Sequence, residues 1–419
     1  MKIIILGTAW PYRGGLAVYN ERLAHQFQAE GHEVEIFTFT LQYPGFLFPG
    51  KTQYSEEPAP SDLRITRCVN SCNPFNWISV GRRICRMAPD LLIIKFWLPF
   101  MGPCFGTIAA LARRNGRTRV VSILDNLIPH ESRPGDRPFT WWFCRSVDGY
   151  VAMSKSVLDD VDKFKVNVGK PRVFSPHPLY DNFGQPVSRE EGCRYLGLDP
   201  ACRYFLFFGL IRDYKGLDWL IEAFAAFLQQ GPSDVRLIVA GEFYSNSEKY
   251  IELARRLNVY DRIEWKTEFV PDHEVRYYFA AADLIAQPYK SATQSGVTQI
   301  AYHFQKPMLV TRVGGLAEIV PDGKVGYVVD PDPKAIAAAL LHFATEHPDF
   351  SAGIAAEREK YSWPVFTKNL LTLLNPSNPS NLSNPSNLSN PSNPSNPSNL
   401  SNPSNPSNPS NPSNSSNYV

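Results

Sequence analysis

Hydrophobic positions in this chain fall into short unbroken runs rather than alternating ones. In the first half, IIIL (3–6), VEIFTF (34–39), LLIIKF (91–96), RVVSIL (119–124) and GYVAM (149–153) are each separated by helix-length stretches. Strands that read as continuous apolar runs are buried on both faces, and their alternation with helices predicts a parallel sheet covered on each side. The second half restarts the pattern with YFLFFG (204–209), VRLIVAG (235–241), IEWKT (263–267), LIAQP (284–288) and MLVT (308–311). An α/β chain of two doubly wound, Rossmann-like domains is therefore predicted, with the carboxyl ends of both sheets opening into a shared cleft.

The turn-rich SPHPLYDNFG and the polar helix SREEGCRYLGL mark the junction, giving a first domain over 1–185 and a second over 186–355. In the segment 356–374, Trp363, Phe366, Leu370 and Leu373 recur at roughly helical spacing, and this helix is expected to cross back onto the first domain. From 375 to 419 the chain is almost wholly Asn-Pro-Ser or Asn-Leu-Ser triplets, which bury nothing, so a disordered tail is expected there.

Composition refines this picture in three places. The stretch 91–112 is apolar apart from Lys95, but Pro99, Gly102, Pro103 and Gly106 suit a strand, a loop and a helix better than a membrane span. Aromatic residues between Trp97 and Phe105 leave peripheral membrane contact as an expectation beside the simpler one of core packing. A net charge of +2 gives no reason to expect a nucleic-acid partner. The seven scattered cysteines fit free thiols in a reducing, cytoplasmic setting, peripheral at most to the inner face of a membrane, and no His, Cys, Asp and Glu spacing suggests a metal.

Candidate chemistry collects where strands end. The first strand leads into a loop carrying Gly14 and Gly15 and then a helix, where backbone N–H groups and the helix N-terminus favour an anion. A plain packing turn is the alternative there, since no G-x-G-x-x-G is present. In FFGLIRDYKGLDWL, Arg212 and Lys215 lie just past a strand and before a helix, the placement a diphosphate leaving group needs as charge develops on it. The loop Gln294, Ser295, Gly296, Val297 opens a helix that continues through Gln299 and would present amides to a sugar and its phosphate. Gly241 and Glu242, after the LIVA strand, would line a base pocket.

These residues together resemble the retaining glycosyltransferase family 4 of GT-B fold, also called glycosyl transferases group 1. The resemblance runs to about residue 374 and rests on the opening Gly-Gly, GHEV at 31–34, the G-x5-KG run from Gly209 to Gly216, VAGE at 239–242, and KPMLVTRVGGLAEIV at 306–320. It implies a nucleoside-diphosphate-sugar co-substrate held mainly by the second domain and a glycan or lipid-linked acceptor in the first. Transfer with retention and no obligatory metal or further cofactor are implied as well. On these motifs Lys215 neutralises the donor diphosphate, Gly14 and Gly15 lie against the phosphates or the sugar, and amides near Gly296 hold the sugar.

The sequence departs from the family pattern in three places. Leu210 stands where an Arg usually follows the first glycine of the G-x5-KG run, so that role is assigned to Arg212. The paired glutamates are missing, their positions falling near Ala292–Thr293 and Ile300; Gln294, Ser295, Thr298 and Gln299 are the neutral substitutes available. Asp125 stands where a His is common, with His130 following. These two are the catalytic candidates, Asp125 to steady an oxocarbenium or orient the acceptor and His130 to bond a hydroxyl or phosphate, against the plain alternative of a capping Asp and a satisfied His. A GT-B-fold binding or partner protein without activity is the competing reading. An epimerase or dehydrogenase would need a dinucleotide fingerprint and a Tyr-x-x-x-Lys pair that are not seen.

Overall fold

The computed structural model describes residues 1–44, 53–55, 58–129, 133–244, 246–292 and 295–374. The repeat tail, His130 and Gln294 lie outside the described residues. The first sheet is built from β1 (Lys2–Leu6), β2 (Glu33–Leu41), β3 (Ile65–Asn70), β4 (Leu91–Phe96), β5 (Arg119–Leu124), β6 (Gly149–Ala152) and β7 (Arg172–Phe174). The second is built from β8 (Arg203–Phe208), β9 (Val235–Ala240), β10 (Ile263–Lys266), β11 (Leu284–Gln287), β12 (Met308–Thr311) and β13 (Gly326–Val329). All pairings are parallel, in the orders β3-β2-β1-β4-β5-β6-β7 and β10-β9-β8-β11-β12-β13.

Every predicted run forms a strand. The strand order reverses between β1 and β4 in one sheet and between β8 and β11 in the other, and the crevice beyond such a switch point is where open α/β sheets bind ligands. This is the two-Rossmann, GT-B architecture. The three strands not predicted, β3, β7 and β13, all lie at sheet edges. There β3 is mostly half-exposed and β7 has three residues, so neither presents the unbroken buried run that marks the central strands.

Both sheets are covered on both faces. On the first, one face carries Tyr19, Leu23 and Phe27 of the helix Gly15–Ala29 together with Trp363, Phe366 and Leu370 of the final helix Trp363–Thr372. The final helix thus crosses back onto the first domain, as expected. Its indole N–H donates to the Leu179 carbonyl at 2.8 Å, and the Thr367 hydroxyl donates to Glu30 at 2.6 Å. Burying two aromatics and a leucine contributes several kcal/mol, at about 1.5–3 kcal/mol each, so the helix fastens the two domains together.

The apolar stretch 91–112 resolves into β4, a 3-10 turn Pro99–Met101 and a helix Gly102–Ala112. Met101 and Phe105 are fully buried, and Trp97 and Phe100 are partly buried against the same core cluster, so this stretch packs mainly as core. No helix among the described residues is long and apolar enough to cross a membrane.

Candidate functional site

The Gly-Gly loop of the first domain, the G-x5-KG loop of the second and the turn before the helix Gly296–His303 all sit at the carboxyl ends of strands beside the two switch points. Gly14 has φ +100° with open space where a Cβ would project, a conformation glycine adopts without strain. Gly15 faces the Tyr180 hydroxyl, and a Cβ on Gly296 would come within 2.8 Å of the Tyr180 ring. Tyr180, on the linker between the domains, therefore touches both glycine turns. The linker is held by Arg22, whose guanidinium donates to both oxygens of Asp181 at 2.8 Å and lies over Trp363.

Lys215 is the buried cation of the second domain. The 3-10 turn Asp213–Lys215 and Gly216, at φ +71° with its α-carbon against the Pro288 carbonyl, turn the chain back so that the amine lies beside Gly209. Its relative exposure is 9%, and no carboxylate pairs with it among the described residues. Burial, and then the nearby Arg212, lower its pKa to about 8. Arg212 stacks on Tyr244 at 4.1 Å, and its Nε is buried without a partner. Lys290, by contrast, is spent on Asp218 and Asp213. Neither Lys215 nor Arg212 has a carboxylate partner among the described residues, an arrangement whose uncompensated positive charge would suit an anion.

Gly241, at φ +128°, lets the end of β9 approach the Gly209 carbonyl, and the exposed Glu242 accepts from the Ile211 amide through its backbone carbonyl. Ser295 turns its hydroxyl inward to Gln287 at 2.7 Å, leaving backbone amides as what this turn can offer. Val297 is buried. Gln299 is wholly buried with neither amide atom hydrogen-bonded, so its side chain lies inside the domain and not on the cleft surface. Near where the resemblance expects the paired glutamates, Ala292 is partly buried and Ile300 lies in the apolar core, while Thr293 lies outside the described residues.

On the first domain, Asp125 at the end of β5 accepts from the ammonium of Lys95, on β4, at 2.9 Å. Lys95 is 2% exposed and lies 3.5 Å above the Tyr19 ring. Burial lowers its pKa, with Asp125 opposing. Tyr19 and His177 meet edge to face at 5.1 Å, His177 and Tyr180 at 4.6 Å, and the Tyr19 hydroxyl is buried without a partner. His177 donates through Nδ1 to the Pro178 carbonyl; burial and then Lys95 lower its pKa to about 3, so it is neutral at ordinary pH. A small hollow joins this cluster to the second domain, lined by Ser154, Phe174, His177, Ser295, Gly315 and Glu318.

The sequence offered Asp125 as a candidate without its partner. Lys95 was visible only as the one charge in an apolar run, yet a lone lysine in a strand buried on both faces is itself a signal of a paired, buried cation.

Residues 13–176 match the model described as Glycosyltransferase Family 4, and residues 202–346 match Glycosyl transferases group 1. Among curated proteins the chain is 29% identical over 222 residues to the D-inositol 3-phosphate glycosyltransferase of Corynebacterium diphtheriae, covering 51% of this chain and 52% of that protein. It is 27% identical over 384 residues to the protein of the same name from Streptomyces avermitilis, covering 84% and 80%. The chain thus spans about half the length of the first of these relatives. Among solved structures, sucrose-phosphate synthase from Thermosynechococcus elongatus superposes with a TM-score of 0.65 at 16% identity, covering 89% of this chain and 98% of that one. Anabaena HepE in complex with UDP and glucose gives 0.63 at 17%, covering 89% and 99%. These last two likenesses concern the fold. With both halves matched in order on two Rossmann-like domains, the chain belongs to the GT-B glycosyltransferases that join a Family 4 domain to a group 1 domain.

Proposed function

We propose that this chain transfers a sugar from a nucleoside-diphosphate-sugar to a glycan or lipid-linked acceptor, with retention and without a metal, in surface polysaccharide or glycan synthesis on the cytoplasmic side of a membrane. The observation that carries this reading is Lys215, a buried amine with no carboxylate partner among the described residues, next to Arg212 at the carboxyl end of β8. The bond from the sugar's anomeric carbon to the β-phosphate oxygen breaks, and the acceptor oxygen bonds to that carbon on the same face. The acceptor proton passes to the departing phosphate. Lys215 and Arg212 take up the charge growing on the diphosphate, Gly14 and Gly15 approach it with backbone, and Asp125 steadies the positive charge on the sugar. UDP and glucose in the Anabaena neighbour make uridine nucleotides the first to try.

A second reading, a partner protein that kept the fold without the activity, is favoured by one observation: no glutamates stand near Ala292–Thr293 and Ile300, where the resemblance expects the pair, and Gln299 is turned into the interior.

The test follows the slow release of sugar to water by proton NMR, with UDP-glucose, UDP-galactose and GDP-mannose, in the presence of a chelator. Release of the donor's own anomer from one of them, lost in Lys215→Ala, supports retaining, metal-independent transfer. Release of the opposite anomer rejects retention, and no release from any donor favours the partner reading.

A further inference from the structure

The helices Pro74–Met87, Gly102–Ala112 and Asp136–Cys144 pack side by side on one face of the first sheet. The whole chain is nearly neutral, but this layer is not. Residues 74–87, 102–117 and 133–145 contain nine arginines, no lysine and one acidic residue, Asp136. Arg83, Arg113 and Arg117 pair with Glu35, Asp148 and Asp90. Arg82, Arg86, Arg114, Arg137 and Arg145 are exposed and have no carboxylate partner among the described residues.

Large apolar side chains stand among these charges. Trp141 and Trp142 are each 43% exposed, Phe139 is 40% exposed and Phe75, in the first turn of the helix Pro74–Met87, 84%. The indoles are held in place. Trp142 donates to the Thr107 hydroxyl at 3.2 Å, and Arg145 lies over the rings of Trp141 and Trp142 at 5.0 and 5.9 Å. Gly106 makes room for this, since a Cβ there would meet the Trp142 ring at 2.7 Å. Holding two tryptophans half in water costs solvation that a soluble surface gains nothing from.

From this combination we infer that the arginine and tryptophan layer of the first domain docks on an anionic phospholipid surface, the arginines meeting the headgroups and Phe139, Trp141 and Trp142 entering the interface. Indoles settle at headgroup depth, and clustered basic side chains add attraction that salt screens. Arginine rather than lysine suits phosphate, which it grips through two donors. The helix Asp136–Cys144 is tied to the cleft, with Thr140 donating to the carbonyl of Leu127, two residues past Asp125. A protein so docked would hold the acceptor side of its cleft close to the lipid surface. The inference rests on the surface alone and stands whether or not the chain transfers sugar.

Co-sedimentation of the full chain with vesicles of equal parts phosphatidylglycerol and phosphatidylcholine, and with phosphatidylcholine alone, tests it. Binding is expected to the mixed vesicles only, weakening at high salt. It should fall at least tenfold in Trp141→Ser/Trp142→Ser and, separately, in Arg82→Ser/Arg86→Ser/Arg114→Ser. Melting temperatures show that both variants fold, and intrinsic tryptophan fluorescence should shift to the blue on binding in wild type. Absence of binding at low salt, equal binding to the two vesicle types, or binding unaffected by either set of substitutions would overturn the inference. Tighter binding to a single-stranded oligonucleotide, or a dimer in solution that the tryptophan variant dissolves, would overturn it too, by assigning the surface another occupant.

Discussion

The ammonium of Lys95, sealed between β4 and the Tyr19 ring, is answered among the described residues by one carboxylate, Asp125 at 2.9 Å, and that carboxylate is itself about a quarter exposed at the cleft. The pair is unequal. Water can solvate Asp125 if its partner is lost, but it cannot reach Lys95. Asp125→Asn should therefore destabilise the protein by about 3–5 kcal/mol and Lys95→Met by clearly less, because an uncompensated buried charge is the costly state. The double variant should regain more than 1 kcal/mol over the sum of the singles. Denaturant unfolding of the four proteins measures this; additive effects would show that the pair is not coupled.

His177 supplies an acid-sensitive element. Its pKa is lowered to about 3 from the usual 6.5, first by burial and then by Lys95. A histidine held neutral in the fold binds fewer protons than in the unfolded chain between these two values, so stability falls as pH drops from 6.5 towards 3. Up to about 2 kcal/mol should be lost by pH 5 on this account. His177→Gln should flatten that part of the unfolding profile while leaving the region above pH 7 unchanged, as read by urea midpoints across the range.

Lys215 costs the empty protein stability. Because burial depresses its pKa to about 8, protonated amine is disfavoured in the fold, fully so below pH 8 and not at all above the ordinary lysine value of 10.5. Lys215→Met should therefore raise the stability of the unliganded protein at pH 7 by about 1–3 kcal/mol and have little effect near pH 10.5. Thermal unfolding at the two pH values provides the comparison.

The same titration shapes donor binding. A nucleoside-diphosphate sugar keeps fixed phosphate charge above pH 7, although a uracil or guanine ring loses a proton in the upper part of the range, so the part of the affinity change that Lys215→Arg removes is what reads the protein. Affinity should be flat up to about pH 8 and decline above it by up to tenfold per unit, until the raised pKa of the occupied site is passed. In Lys215→Arg this part of the decline should disappear.

Much of the fold was legible because burial on both faces writes itself as unbroken runs such as LLIIKF and VRLIVA, and these are the central strands on which the cleft is built. The edges were not: ITRCVN alternates weakly because half of it faces water, and RVF is too short to register. Loop chemistry was partly legible. Glycines that must adopt positive φ, such as Gly14, Gly216 and Gly241, announce their turns, and with them the cations they position. Side-chain direction was not legible. Gln299 was a candidate for the sugar and lies buried; Tyr180, in the turn-rich junction, touches both Gly15 and Gly296, a meeting of three distant segments that no local pattern carries.

The most direct test is calorimetric titration of wild type and Lys215→Ala at pH 7 with UDP and with GDP. The expected result is binding of one nucleotide by wild type and at least a tenfold loss in the variant, since one charge-assisted bond to a buried anion is worth more than about 1.4 kcal/mol. Equal affinity in the two proteins, or no binding of either nucleotide by wild type, would contradict the assignment of this cleft to a nucleotide diphosphate.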